Sequence, residues 1–290
     1  MLAKFKNSKL RNSVLAIENI LTNIEQKVDA LSNKVENRIL FANDTIICMQ
    51  IRDICIAFPV GQLNYAISYL NTNFDSGMYS ALKNNITPGS LCIDIGADIG
   101  VYSALMAKLT GEKGKVIAVE PIKSLTEFID KNLFLNSALT KKEIINKAVS
   151  NKQGTIEIQI FPEDTRISTI HLYSNTEKDI KCTTEAVSLI QIKDLINLDY
   201  ENLFIKIDAE GEEFNIVNDL LNLELEQNLT VVFEYAKEHT MRSRHKPKEF
   251  LELMQRKNIQ AYFINELTGE KEMPFDENSL TKTGNVIFTL

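Results

Sequence analysis

The chain has 290 residues, 44% hydrophobic and 24% charged, with a formal net charge of −7. That balance excludes a disordered segment and fits one large domain with an appendage, while the negative charge argues against broad nucleic-acid binding. Cys48, Cys55, Cys92 and Cys182 form no C-x-x-C pair, so neither a disulfide framework nor a zinc site is expected, and the reading is a cytoplasmic protein.

The first eleven residues carry Lys4, Lys6, Lys9 and Arg11 and no acid, a tail that is either solvated or in contact with an anionic membrane surface. Leu10, Val14, Ile17, Leu21, Ile24, Val28, Leu31 and Val35 then alternate in steps of four and three, with no Gly or Pro among them. This seam predicts an N-terminal coiled-coil helix over residues 1–40, assembling the chain as a homo-oligomer, dimer or trimer. Residues 41–85 read as a hairpin and a helical connector or lid: strands at 46–50 and 53–58, then a helix over 63–85 broken near 71–76. The most apolar stretch, 45–60, contains Gln50, Arg52 and Asp53 and does not read as a membrane span.

Residues 86–290 alternate between strand and helix patterns. Strands are expected at 91–95, 115–119, 143–148, 203–208, 230–235, 259–264 and 284–289, and helices near 100–110, 123–137, 212–223 and 246–257. Such crossovers predict an α/β domain with a seven-stranded, mostly parallel, Rossmann-like sheet covered by helices on both faces. An insertion at 150–200, with an edge strand at 154–161, falls where loops shape substrate sites.

The run Leu91-Cys-Ile-Asp-Ile-Gly-Ala-Asp-Ile-Gly100 is a buried strand entering a glycine turn, and the next strand ends in Glu120. A glycine there allows close approach of a ligand, and a strand-end carboxylate can take both ribose hydroxyls. Dinucleotides are excluded, because the spacing of Gly96 and Gly100 is not G-x-G-x-x-G and Asp94 would repel a pyrophosphate. A ligand bearing an ammonium and a sulfonium suits Asp94, which points to S-adenosylmethionine. Ala148 and Val149, after the third strand, can meet its adenine.

Together with Pro88-Gly89, Val119-Glu120-Pro121 and Ile205-Lys-Ile-Asp208-Ala-Glu210-Gly211, this run resembles the FkbM family of S-adenosylmethionine-dependent methyltransferases over residues 86–290. One departure is Asp98, where the family more often has Asn. The resemblance implies a class I methyltransferase fold with an antiparallel last strand, and cofactor contacts from Asp94, Gly96, Ala97, Asp98, Gly100, Glu120 and Pro121. It also implies methylation of hydroxyls on sugars or polyketides.

Methyl transfer needs alignment and removal of the acceptor's proton. Asp208 and Glu210 end a strand on the cofactor edge and are candidate bases, although Glu210 can equally cap the next helix. Glu234 ends the fifth strand and His239 follows it, candidates for substrate binding and for the base. No metal site is assigned, but Asp208, Glu210 and Glu234 are an alternative Mg²⁺ ligand set. Lys206 reads as a structural partner of a buried acid. Tyr102 and His171 are candidates for the pocket wall, and His245 lies in a basic segment that either meets an anionic substrate or starts a helix. The reading is an O-methyltransferase acting on a hydroxyl of a sugar, glycan or glycolipid precursor. The alternatives are N-methylation of a small amine or peptide, and an inactive coiled-coil scaffold.

Overall fold

The computed structural model describes residues 37–151, 154–161, 165–169, 180–187 and 199–290. The heptad seam, the basic tail and His171 lie outside the described residues. Strands β1 (Asn37–Ala42), β2 (Ile46–Ile51) and β3 (Ile54–Pro59) form an antiparallel sheet. Residues 37–40, expected to be helical, are therefore strand. The reason is long-range: the buried Asn37 side chain donates to the Tyr69 carbonyl at 2.5 Å and accepts from the Arg52 amide at 2.7 Å, and β1 pairs along β2. Two helices follow, α1 (Leu63–Ser68) and α2 (Ser76–Asn85), separated at Asp75, whose φ is 53°.

The main domain continues through β4 (Leu91–Ile95), α3 (Val101–Thr110), β5 (Lys115–Val119), α4 (Lys123–Asn136) and β6 (Lys141–Ile145). All five residues of β4 are buried, as expected of a central parallel strand covered on both faces. Then come β7 (Ala148–Val149), β8 (Gly154–Ile160), β9 (Ile180–Val187), β10 (Asn202–Ile207) and α5 (Glu213–Leu220). The chain ends with β11 (Asn228–Ala236), α6 (Lys237–Arg242), α7 (Pro247–Arg256), β12 (Tyr262–Ile264), β13 (Lys271–Pro274) and β14 (Thr283–Thr289).

The main sheet has the order β13-β12-β14-β11-β10-β4-β5-β6, with β14 antiparallel to both its neighbours. This is the strand order of a class I methyltransferase-like fold, with one strand more than the seven expected. The eighth, β13, is a short edge strand of sequence KEMP hairpinned onto β12. Two lysine-or-glutamate positions and a proline give no apolar alternation, and Pro274 is tolerated only because the strand is at the edge. The expected strand 143–148 is split. Asn146 donates to the carbonyls of Glu120 and Pro121, at 2.9 and 3.0 Å, and turns the chain out of the main sheet. β7 then joins a separate sheet of order β7-β9-β8, with β8 at one edge, as expected of 154–161, and β7 at the other.

One face of the main sheet packs on α5 and α7, and the other on α3, α4 and the N-terminal lobe of residues 37–85 within a single apolar cluster. Two asparagines of α4 join that lobe to the domain. Fully buried Asn132 accepts from the Ala57 amide at 2.7 Å and donates to the carbonyls of Ala57 and Ile99, at 3.1 and 2.8 Å. Asn136 does the same for Cys55, at 2.8 Å to its amide and 2.7 Å to its carbonyl. The free edge of β3 is thereby hydrogen-bonded by side chains in place of another strand. Among the described residues, no helix is long and apolar enough to cross a membrane.

Truncating Asn132 strands a buried amide and two buried carbonyls. Asn132→Ala should lower stability by about 2–4 kcal/mol in urea unfolding monitored by far-UV circular dichroism. A loss below about 1 kcal/mol would mean that the lobe is held by apolar packing alone.

Candidate active site

The carboxyl ends of β4, β5, β10 and β11 open into a cavity of about 420 Å³. After β4 the chain turns sharply at Gly96 (φ 74°), whose amide and that of Ala97 donate to the Val119 carbonyl at 3.0 and 3.1 Å. A side chain at Gly96 would overlap the Asp208 carbonyl oxygen, so glycine is required for the β4 turn to lie against the end of β10. Gly100 (φ 85°) caps α3 and packs on Ile129.

Glu120 is 4% exposed and bridges this turn to the one that follows β5. Its Oε2 accepts from the Asp98 amide at 2.9 Å and its Oε1 from the Ile122 amide at 2.8 Å. Burial, reinforced by the charge of Asp98, raises its pKa to about 8. Asp98 is also raised by burial; its Oδ1 accepts from the Thr165 hydroxyl at 2.5 Å, and its Oδ2 is buried with no hydrogen-bond partner.

Asp94 is fully buried behind the cavity wall. Its Oδ2 accepts from the Ser103 hydroxyl at 2.6 Å, and its Oδ1 faces Lys206 Nζ at 3.4 Å. Lys206 is also 3.3 Å from Asp208 Oδ2 and 3.4 Å from the Gly96 carbonyl. Burial alone would depress the ammonium, but the charges of Asp208 and Asp94 outweigh it and hold the pKa above its usual value. Asp208 is raised by burial to about 6, with Lys206 opposing the rise.

Beyond β10 the turn passes through Glu210 (φ 49°) and Gly211 (φ 119°). The carboxylate that caps it belongs to Glu213, a residue the sequence reading passed over. It accepts from the Ala209 amide at 2.7 Å and the Gly211 amide at 2.9 Å, and burial raises its pKa to about 7. Glu210 is thus released from capping and turns to His239: Oε2 lies 3.4 Å from Nε2, while Nδ1 lies 3.4 Å from Glu234 Oε2. Burial, with the charge of Asp208, raises Glu210 to about 8. The proximity of Glu234 raises His239 to about 9, which favours the imidazolium. The nearest atoms of Glu210, Glu234 and His239 lie within 4.8 Å of one another, a donor set that a divalent cation accepts and that the imidazolium here already neutralises.

Of the residues singled out from sequence, Gly96, Ala97, Asp98, Tyr102, Glu120, Pro121, Ala148, Val149, Asp208, Glu210 and Glu234 line the cavity. Asp94, Gly100 and His239 stand behind its wall. His245 lies elsewhere, bonded to Glu249 and Asn215 and packed on Phe214 at the start of α7. The sequence reading missed a second set of lining residues: Tyr65, Phe74, Asp75 and Met78 from the N-terminal lobe, and Thr165, Arg166, Ser168 and Thr169 from the insertion. Thr165 accepts from Gln62 and donates to Asp98, and the Thr169 hydroxyl donates to the Glu210 carbonyl at 2.8 Å. This short segment therefore ties the lobe to both strand-end turns.

Among solved structures, an S-adenosylmethionine-dependent O-methyltransferase from Thermotoga maritima is 13% identical, the match covering 74% of this chain and 64% of that one, with a TM-score of 0.38. A methyltransferase from Aquifex aeolicus is 12% identical over 75% of this chain and 89% of that one, also at 0.38. Likenesses this slight lend no support to a particular chemistry. In sequence, a methyltransferase from Sordaria araneosa is 31% identical over 78 residues, 27% of this chain and 30% of that protein, so the chain matches less than a third of the curated relative's length. The family described as Vibrio cholerae RfbT protein matches residues 14–290, nearly the whole chain. The chain belongs to that family.

Proposed function

We propose that the chain is an S-adenosylmethionine-dependent methyltransferase that methylates a hydroxyl of a sugar, glycan or glycolipid precursor. The observation that carries this reading is the carboxyl lining of the cavity, whose ionised form burial disfavours and a cationic ligand would restore. Asp98, Glu120, Asp208, Glu210 and Glu234 line it, several with pKa values raised by burial and by one another. Asp98 Oδ2 is a buried acceptor that lacks a donor. A ligand with an ammonium, a sulfonium and two ribose hydroxyls supplies both the positive charge and the donors. The resemblance to FkbM sequences supports the hydroxyl acceptor, as does a base placed in the cavity.

S-adenosylmethionine, when bound, supplies a methyl group already activated on its sulfonium. The chain's residues hold, orient and deprotonate. Glu120 is placed to accept from the ribose hydroxyls with the lone pairs that the Asp98 and Ile122 amides leave free. Asp98, rather than the enclosed Asp94, is placed to meet the ammonium. Glu210 is the better base, because it lines the cavity and titrates near neutrality, whereas His239 stands behind it already protonated. His239 and Glu234 orient that carboxylate. Self-association through residues 10–35 and a cytoplasmic location belong to the same reading.

Calorimetry with S-adenosylhomocysteine tests the cofactor half. Glu120→Ala should weaken binding at least tenfold, about 1.4 kcal/mol, in a protein that remains folded; unchanged affinity would remove Glu120 from the site.

The raised carboxylates also fix the sign of the pH response. Glu120 and Glu210 go from 4.5 to about 8 on folding, so the stability they contribute is complete below the unfolded value and lost as pH climbs through about 8. In scanning calorimetry without ligand, Tm should fall between pH 5 and pH 9, and Glu120→Gln should make that fall shallower. A Tm that rises over this range contradicts the assignment.

For the second half, Glu210→Gln should slow S-adenosylhomocysteine formation in the presence of acceptor glycan by about 10²–10⁴. Its affinity for S-adenosylhomocysteine should stay within about threefold. Parallel loss of both would place Glu210 among the cofactor ligands.

A further inference from the structure

The N-terminal hairpin holds a pair of thiols that the methyltransferase reading does not use. Ile47, Met49, Ile51, Ile54, Ile56 and Phe58 are at most 1% exposed and face the core. Strand alternation then puts Cys48, Gln50, Cys55 and Ala57 together on the opposite face. The register sets Cys48 across from Ala57 and Cys55 across from Gln50, so the cysteines are diagonal neighbours. Seven residues apart in sequence, they match no thiol motif, and only the two-residue turn at Arg52-Asp53 makes them adjacent. Their sulfurs lie 3.3 Å apart.

The surroundings hold them there. Ala57 fills its place in the row with a methyl group, and Gln50 is drawn toward the turn, its Nε2 donating to the Arg52 carbonyl at 2.7 Å. Both neighbours thus leave the sulfurs room to meet. At the hairpin tip Arg52 donates to the carbonyls of Thr72 and Phe74, at 2.7 and 3.2 Å, and its guanidinium lies over the Tyr79 ring at 4.5 Å. At the edge, Asn136 holds the backbone of Cys55. Groups fixed this way meet at a high effective concentration. A disulfide is about 2.05 Å long, so closure draws the sulfurs together by little more than an ångström, a small part of the sweep of a cysteine sulfur about its Cα–Cβ bond.

The two thiols differ in surroundings. Cys48 is 5% exposed, and burial, with the contact from Cys55, pushes its pKa up to about 12. Cys55 is half-buried and reaches solvent. Cys92, by contrast, is fully buried in the central strand β4.

We propose that Cys48 and Cys55 form a redox-active dithiol, which a small peroxide closes to an intramolecular disulfide. The Cys55 sulfur attacks the O–O bond, becoming a sulfenic acid as one water leaves. The Cys48 sulfur then displaces the hydroxyl from that sulfenic sulfur, and the Cys48 proton departs with it as the second water. Two thiols lose two electrons in all, and one peroxide is reduced to two waters. A thiol reductant reverses the closure by exchange. The bond staples β2 to β3 where Asn136 docks the lobe on the α/β domain, and it is independent of the methyltransferase reading.

The test treats the full chain with hydrogen peroxide at neutral pH and blocks the remaining thiols with iodoacetamide. Non-reducing peptide mapping by mass spectrometry follows. Trypsin cuts after Arg52, between the two cysteines, so the link appears as two joined peptides. A single Cys48–Cys55 link is expected, reversed by dithiothreitol, in a chain with unchanged far-UV circular dichroism and a Tm no lower than in the reduced form. In Cys48→Ser the oxidation should stop at Cys55, where dimedone traps the sulfenic acid. A treated chain without the link, a dominant link through Cys92 or Cys182, a link formed only in urea, a closed form that melts below the reduced one, or dimedone on other cysteines but not on Cys55 overturns the dithiol. None of these outcomes touches S-adenosylhomocysteine binding, which tests the methyltransferase reading separately.

Discussion

A single buried ammonium organises the carboxyl edge of this sheet. Lys206, 2% exposed, stands between Asp94 and Asp208 and touches the Gly96 carbonyl. Each of those groups belongs to a different piece of the site: the first strand, the fourth strand and the glycine turn. Removing the cation would leave two carboxylates facing each other in a low-dielectric setting, a situation costing several kcal/mol per unpaired charge. Lys206 neutralises only part of the negative charge. Elsewhere in the cavity, burial holds Asp98, Glu120 and Glu210 toward their protonated forms.

The second constraint is the union of the N-terminal lobe with the α/β domain. Asn132 and Asn136 are spaced one helical turn apart, so both amides face β3 and satisfy alternate residues of it, Ala57 and Cys55. The same Asn132 also holds the Ile99 carbonyl in the turn before α3. One helix side chain thereby connects the lobe that lines one side of the cavity with the loop that presents Asp98. The cavity is enclosed by two bodies whose relation is set by hydrogen bonds as well as apolar packing.

Much of the main domain was legible because its signals are local. The five-residue apolar run of β4, the glycine at a forced positive φ, and the carboxylate at the end of β5 are consequences of near neighbours, and strands and helices fall close to their expected places. Other features were decided at long range. Residues 37–40 became strand through pairing with β2 and a bond from Asn37 to Tyr69. KEMP became a strand only because β12 offered it an edge. Glu213 displaced Glu210 as the cap of its turn, a competition between two glutamates that spacing alone cannot decide. Asp94 was expected at the ligand, but Lys206 and Ser103 enclose it. Residues 41–85 read as a connector or lid, but nothing local distinguishes Phe74 and Tyr65 from packing residues, and the Gln62–Thr165 contact that ties the lobe to the insertion spans 103 residues.

The turn between β12 and β13 clamps the start of α2, with a consequence for how the protein comes into being. Ser76 bonds the Glu266 and Leu267 carbonyls across sequence separations of 190 and 191 residues, and Gly77 and Gly269 fit without side chains. During vectorial synthesis the lobe leaves the ribosome long before its restraint exists, at roughly 5–20 residues per second. The nucleotide-type half of the sheet, β4 to β6, is built from contacts available early. The strained Asp75 and the wall beside it are completed only when the last hairpin arrives. A nascent chain thus possesses the β4–α3–β5 framework before the clamp on α2 exists, and the cavity wall that the lobe supplies is fixed only once residues 265–269 are in place.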